Sequence, residues 1–76
     1  MKAWFIEDDC TSKAANIWVE RMKATTKEEA AQELRDEWDR LTRVDKKRRD
    51  SFKAIYAEPD EDGGIDYDTV TDEVTI

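Results

Sequence analysis

The stretch that decides the fold is TKEEAAQELRDEWDRL, residues 26–41, because its apolar positions repeat with the period of a helix. Those positions are Ala30, Ala31, Leu34, Trp38 and Leu41. They fall on one stripe, the pattern of an amphipathic helix from about residue 27 to 41. Thr26 and Glu29 match a capping box, in which the hydroxyl and the carboxylate each accept a backbone N–H at the helix start. We therefore predict one main helix with one apolar side.

On both sides of this helix the apolar residues alternate with a period of two, which predicts strands. The predicted strands are KAWFIE (2–7), NIWVERMK (16–23), FKAIYAE (52–58) and a segment within 70–76. A second, weaker capping box from Thr42 to Asp45 predicts a short helix ending near Ser51. The fold class is then α+β: a small antiparallel sheet in the order β-β-α-(α)-β-β, with the main helix packed on one face. We predict a single domain over residues 1–76.

Composition excludes several classes of protein. The chain has 76 residues, 13 Lys and Arg, 20 Asp and Glu, no histidine and one cysteine, Cys10, and its formal charge is −7. A lone cysteine forms no intramolecular disulfide and no cysteine zinc cluster, and the usual general base is missing. A chain this small is also poorly suited to bury paired carboxylates and separate their pKa values. We predict a protein without enzymatic activity and without a cofactor.

The N-terminal residues bear on where the protein resides. Glu7, Asp8 and Asp9 fall where a signal peptide needs an unbroken apolar stretch. No apolar run approaches the roughly 18 residues of a membrane span. We therefore predict a cytoplasmic protein that makes no contact with a membrane.

Residues 58–69 resemble the twelve-residue calcium loop of EF-hands. Carboxylates occupy several ligand places, among them Asp60, Asp62 and Asp66. Thr69 stands where the loop needs a bidentate glutamate, so two ligand oxygens are missing from the six to eight that calcium prefers. The Asp-Gly and Gly-Gly pairs are typical of a hairpin turn. We predict a solvated turn over residues 60–64, no specific calcium binding at micromolar concentration, and these three aspartates as weak metal candidates only.

A basic segment within residues 40–53 raises the question of nucleic-acid binding. Its candidate contacts are Arg43, Lys46, Lys47 and Arg49. Consecutive residues of a helix point in all directions around its axis, so this run forms no single stripe. The sequence pI near 4.5 is opposite to the basic character of nucleic-acid binders. We therefore rank direct nucleic-acid binding below the other functions considered for this chain.

The aromatic residues of the sheet give the best functional lead. If Trp4, Ile6, Ile17 and Val19 face the helix, other large side chains lie on the opposite face. Those candidates are Phe5, Trp18, Met22 and Tyr56. One helix covers only one face, and exposed apolar patches on small domains mark interaction sites. The prediction is a protein-interaction module, with self-association as its simplest form. Coverage of that face by the C-terminal segment, with Ile65 and Val70, is the competing interpretation.

A second hypothesis concerns the acidic C-terminal third. Residues 54–76 carry eight negative charges and no positive one. Such a surface would imitate a row of phosphates and compete with DNA for a DNA-binding protein. Affinity of this kind falls steeply with salt, since charges are screened within roughly 8 Å at physiological ionic strength.

Three blocks suggest a family resemblance. They are Glu37-Trp-Asp-Arg-Leu-Thr42, Lys47-Arg-Arg-Asp-Ser-Phe52, and Asp60-Glu-Asp-Gly63 followed by Ile65-Asp-Tyr-Asp-Thr69. With these the chain resembles small acidic proteins encoded on conjugative transposons and related mobile elements of Gram-positive bacteria. The resemblance implies a bacterial cytoplasm and an accessory role, and it supplies no catalytic residues.

Overall fold

Four antiparallel strands form one sheet, and one helix packs on it, in the computed structural model, which describes residues 1–9, 17–40 and 52–76. The elements are β1 (Ala3–Asp9), β2 (Ile17–Arg21), α1 (Lys27–Arg40), β3 (Phe52–Ala57), a 3₁₀ helix (Tyr67–Thr69) and β4 (Asp72–Thr75). The strand order across the sheet is β2-β1-β3-β4, and every neighbouring pair is antiparallel. This confirms the α+β fold predicted from the sequence.

Element bounds follow the sequence prediction closely. The helix predicted from residue 27 begins at Lys27, and each strand falls within two or three residues of its expected limits. The 3₁₀ helix was not predicted; its N-cap Asp66 accepts a hydrogen bond from the backbone N–H of Asp68. The predicted second helix, near Thr42–Ser51, lies outside the described residues.

The start of α1 is held by carboxylates as well as by the predicted cap. The backbone N–H of Glu29 donates to the Thr26 hydroxyl at 3.1 Å. The Glu29 carboxylate accepts from the backbone N–H and the hydroxyl of Thr25, each at 2.9 Å. One turn further on, Glu33 accepts the backbone N–H groups of Lys23 and Ala24 at 2.9–3.1 Å. These bonds fix the connection between β2 and α1 against the helix.

The main core lies between the sheet and α1. It contains Trp4, Ile6, Met22, Ala30, Leu34, Phe52 and Ala54, all buried. Trp38 packs against Phe52 with ring centroids 5.5 Å apart and planes tilted by 49°, so the aromatic residue near the end of the helix contacts the first residue of β3. Trp4 and Ile6 therefore face the helix, as the sequence predicts.

A second apolar cluster covers the other face of the sheet. It contains Phe5, Ile55, Ala57 and Ile65, with Ala3, Val19 and Val70 packed against it. Ile65 and Val70 come from the connection between β3 and β4, which the isolated bridge between Pro59 and Ile65 brings back toward the sheet. Phe5 is 0% exposed, so the prediction that it lies on an open interaction face is wrong.

The face assignment of β2 also needs correction. Cross-strand partners share a face of the sheet, and Val19 pairs with Glu7 and Arg21 with Phe5. Val19 therefore lies with Phe5, not with Trp4 and Ile6. The backbone N–H of Met22 donates to the Trp4 carbonyl at 2.9 Å, and Met22 packs in the helix-side core at 6% exposure. Its predicted place on the opposite face is wrong.

Candidate functional site

The N-terminal residues and the end of β2 enclose a cavity of about 450 Å³, here called the N-terminal pocket. Its lining residues are Met1, Lys2, Ala3, Trp4, Arg21, Met22, Lys23, Ala24, Thr25 and Tyr56. Antiparallel pairing of β1 with β2 explains the position, because the residues before β1 lie beside those that follow β2. Side chains about 20 residues apart in the chain thus meet at one end of the sheet.

Aromatic and apolar side chains form the wall nearest the core. Trp4 and Tyr56 pair across β1 and β3, with ring centroids 5.0 Å apart and planes tilted by 35°. Trp4 is 3% exposed and Tyr56 is half-buried. The Tyr56 ring is therefore positioned by the core and still offers part of its surface to a ligand.

Among the residues that the structure describes, three basic residues line the pocket, and no carboxylate does. They are Lys2, Arg21 and Lys23, of which Arg21 pairs with Phe5 and so directs its side chain to the second face of the sheet. Lys2 Nζ lies 6.0 Å from the centre of the Tyr56 ring and donates to the Thr71 hydroxyl at 2.8 Å. Within the described part of the chain, none of the three lies within 4.0 Å of a carboxylate oxygen, whereas Lys27, Arg40 and Lys53 each do.

A second cavity, of about 510 Å³, lies between β2 and α1 and is here called the acidic groove. The carboxylates that line it are Glu20, Glu29, Glu33, Asp36 and Glu37. Arg21 and Lys23 line both cavities and so stand between them. The backbone N–H of Thr25 and its hydroxyl hold the pKa of Glu29 below its ordinary value. Among the described lining residues, the groove thus has five carboxylates and three basic residues, whereas the neighbouring pocket has basic residues without a carboxylate.

Two of the three aspartates predicted as metal candidates in the EF-hand-like loop, Asp60 and Asp66, accept backbone N–H groups. Asp60 Oδ1 accepts the N–H groups of Asp62 and Gly64, at 2.9 and 2.7 Å, and the Asp66 carboxylate caps the 3₁₀ helix. Gly63 has φ of 83°, the left-handed conformation that favours glycine in a turn. The turn predicted over residues 60–64 is confirmed.

The geometry of this loop does not bring together the ligands that a metal ion needs. Across the described ranges, no three His, Cys, Asp or Glu side chains are grouped so as to hold an ion. The absence of micromolar calcium binding stays a prediction.

Three other C-terminal carboxylates make ion pairs within the chain. Asp72 contacts Lys27 Nζ at 3.0 Å, and this hydrogen bond holds the pKa of Asp72 below its ordinary value. Glu58 contacts the amino group of Met1 at 3.1 Å, and Glu73 lies 4.0 Å from Lys53. These ion pairs therefore neutralise part of the negative charge of residues 54–76.

A buried carboxylate that the sequence did not single out lies on the second face of the sheet. Glu7 is 6% exposed, accepts a hydrogen bond from the Tyr67 hydroxyl, and lies 3.9 Å from Lys53 Nζ. The Tyr67 ring itself is 53% exposed. These contacts fasten the connection between β3 and β4 over the Phe5 cluster.

The binding candidates predicted from the sequence lie in different parts of the structure. Met22 and Tyr56 line the N-terminal pocket, although Met22 is buried. Phe5 lies in the opposite cluster, away from it. Trp18 is on β2 opposite Asp8, and its side chain lies outside the described part. The basic candidates also lie outside it; they are Arg43, Lys46, Lys47 and Arg49.

Sequence reasoning missed the cations of the pocket. Lys2 precedes the first predicted strand, and Arg21 and Lys23 end the second. An antiparallel pairing of those two strands would have brought the three together, so the signal was present in the predicted topology.

Comparison with protein-family models, with curated proteins and with solved structures found no match to this chain. Among the residues that the structure describes, no helix has the length and apolar character needed to cross a membrane.

Proposed function

We propose that this protein is a non-enzymatic protein-binding module whose binding site is the N-terminal pocket. One observation carries the proposal: Lys2 and Lys23, which make no ion pair among the described residues, line a pocket with a half-buried aromatic ring in its wall, in a chain of net charge −7. Aromatic residues are enriched at protein interfaces, and charged residues belong to their polar rim. An aromatic wall with a charged rim suits recognition of a segment of another protein.

The size and construction of the pocket support this role. Its 450 Å³ falls in the range of roughly 300–1,000 Å³ typical of ligand sites. Its wall is rigid, because Trp4 and Met22 belong to the main core and the 23–25 backbone is held by Glu29 and Glu33. A preformed site of this kind costs little conformational entropy when a partner binds.

The test is a selection from a random peptide library that carries no charge bias, with the untagged protein as the target. We expect enriched peptides whose binding is lost in Ala24→Phe, which places a ring in the pocket. Thr25→Phe is a second blocking variant at an exposed lining position. Thr75→Phe is the matched control, because it adds the same ring to an exposed position on β4 outside the lining. The proposal fails if no peptide is enriched, or if the blocking variants bind as well as the control.

A second candidate function is imitation of nucleic acid by the acidic groove. The observation that favours it is the set of five carboxylates along one cavity, together with 20 acidic residues in the whole chain. Its partner would be a DNA-binding protein, and its affinity would fall steeply with salt. Competition with duplex DNA for such a protein, measured across a salt series, tests it; competition that does not depend on salt would exclude it.

The biological setting rests on the sequence blocks alone. We propose an accessory role in the bacterial cytoplasm, on a mobile element of a Gram-positive host. Deleting the coding sequence and measuring the transfer frequency of its element tests this role, and an unchanged frequency would argue against it.

A further inference from the structure

We infer that the partner segment bound in the N-terminal pocket is acidic: a stretch of Asp or Glu residues that flanks one large apolar side chain. This inference rests on the proposed function and names the chemistry of its partner. It begins from the distribution of positive charge over the described residues.

Unpaired positive charge is concentrated at this pocket. Four basic side chains among the described residues make no ion pair, and three of them, Lys2, Arg21 and Lys23, line the pocket. The fourth is Arg35, which lines neither cavity. In a chain with more carboxylates than bases, cations are expected to find internal partners. Carboxylates supplied by another protein would pair with Lys2 and Lys23.

The aromatic wall selects the apolar part of the partner. Tyr56 is half-buried beside Trp4, and the small side chain of Ala24 lines the same pocket. A Phe or Leu side chain that enters the pocket would bury apolar area at about 25 cal/mol per Å². The Asp or Glu side chains next to it in the partner would then lie within reach of Lys2 and Lys23. The long lysine side chains can adjust to their positions.

The adjacent acidic groove limits where an acidic partner binds, because its carboxylates repel that partner. Lys23 lines both cavities, so a basic partner in the pocket would meet its charge directly. Like charges placed together at an interface oppose binding of the wrong partner. A basic segment is therefore disfavoured in the pocket, and an acidic one in the groove.

The experiment measures binding of three fluorescein-labelled hexapeptides by fluorescence anisotropy, with untagged protein. The acidic probe is Glu-Glu-Phe-Gly-Glu-Glu, and its two counterparts replace every Glu with Gln or with Lys. We expect the acidic probe to bind tightest and its Kd to rise with added NaCl, because exposed charges are screened. Labelling every probe in the same way removes the dye from the comparison.

Charge reversal at one position locates the interaction. Lys23→Glu should raise the Kd of the acidic probe by about fivefold, the upper range for one exposed ion pair. Arg35→Glu is the matched control, because it makes the same charge change at an unpaired, exposed cation outside the pocket, and its effect should stay below about twofold. Both positions are exposed, so neither variant removes a core contact. Lys2→Glu repeats the test at the residue that precedes β1, on the other side of the pocket from Lys23.

The outcomes separate this inference from the function on which it rests. Equal affinity for the Glu and Gln probes, tighter binding of the Lys probe, or equal effects of Lys23→Glu and Arg35→Glu would overturn it. Library peptides that are neutral yet blocked by Ala24→Phe would overturn the acidic partner and leave the binding module intact. If instead the protein sediments as a concentration-dependent oligomer, and the acidic probe does not dissociate it, the pocket is occupied by a second copy and the inference is wrong.

Discussion

Replacement of Phe5 with alanine tests most sharply whether the second face of the sheet is closed within one chain. The Phe5 side chain is 0% exposed and packs with Ile55, Ala57 and Ile65. It lies on β1, which pairs with strands on both sides, so the sheet has little freedom to collapse into the space left behind. Removing a buried Phe side chain typically costs about 3–5 kcal/mol.

That cost is large against the stability of a small domain, which is typically about 5–15 kcal/mol. The assay is urea unfolding of the wild type and Phe5→Ala, followed by tryptophan fluorescence and by circular dichroism. A decrease in the midpoint with an unchanged m-value would show a loss of stability without a change in the folded surface. Ile55→Val, which removes one methyl from the same cluster, should cost about 0.5–1.5 kcal/mol and remains measurable if Phe5→Ala does not fold.

The control is Thr75→Val, a substitution of similar volume at an exposed position on β4. It should change the free energy of unfolding by no more than about 0.5 kcal/mol. If Phe5→Ala costs less than about 1 kcal/mol, well below the range for a buried Phe, the reasoning is refuted. The open aromatic face predicted from the sequence would then return as the leading binding surface.

Three further predictions concern the polar contacts. Tyr67→Phe leaves the buried Glu7 carboxylate without one donor and should lower the free energy of unfolding by about 1–3 kcal/mol, measured by urea unfolding; an unchanged midpoint would show that this bond does not hold the connection. Glu29 has a folded-state pKa below 4.5, so its contribution is present above about pH 4.5 and is lost as pH falls through the folded pKa. Glu29→Gln should therefore destabilise the protein at neutral pH and weaken the pH dependence of its midpoint in acid, and identical pH profiles would contradict this. Thr26→Ala removes the helix cap and should cost about 0.5–2 kcal/mol by thermal unfolding, whereas no loss would mean that the Glu29 contacts alone fix the helix start.

Local patterns in the sequence were sufficient for the helix and the strands. The stripe that contains Ala30 and Leu34 and the cap at Thr26 act within a few residues, so neither depends on the rest of the fold. The turn over residues 60–64 follows in the same way from its glycines and from Asp60.

The faces of the sheet were harder to predict. Alternation divides β2 into two sides without deciding which side meets the helix, because its register against β1 is set by pairing across the chain. That register places Met22 beside Trp4 and Val19 beside Phe5, opposite to the sequence assignment. Coverage of the second face by Ile65 depends on a contact 60 residues from Phe5 in the chain. The competing interpretation had named this segment, but no local pattern selects it.

The N-terminal pocket could have been found from the predicted topology. A hairpin between the first two strands brings Lys2 near Arg21 and Lys23, and the pairing of β3 with β1 adds Tyr56. The sequence does not show which basic side chains form ion pairs within the chain. Lys27 and Lys53 find carboxylates on β4 or β1 only through the fold.

The central claim is that partners bind at the N-terminal pocket, and amide chemical-shift mapping by NMR tests it most directly. The ¹⁵N-labelled, untagged protein is titrated with the acidic probe to saturation, and the shifts are followed residue by residue. We predict the largest changes at residues 2–4, at 21–25 and at Tyr56, with small changes along β4. Shifts confined to β4 or to the exposed surface of α1, or no shifts at saturating probe, would contradict the claim.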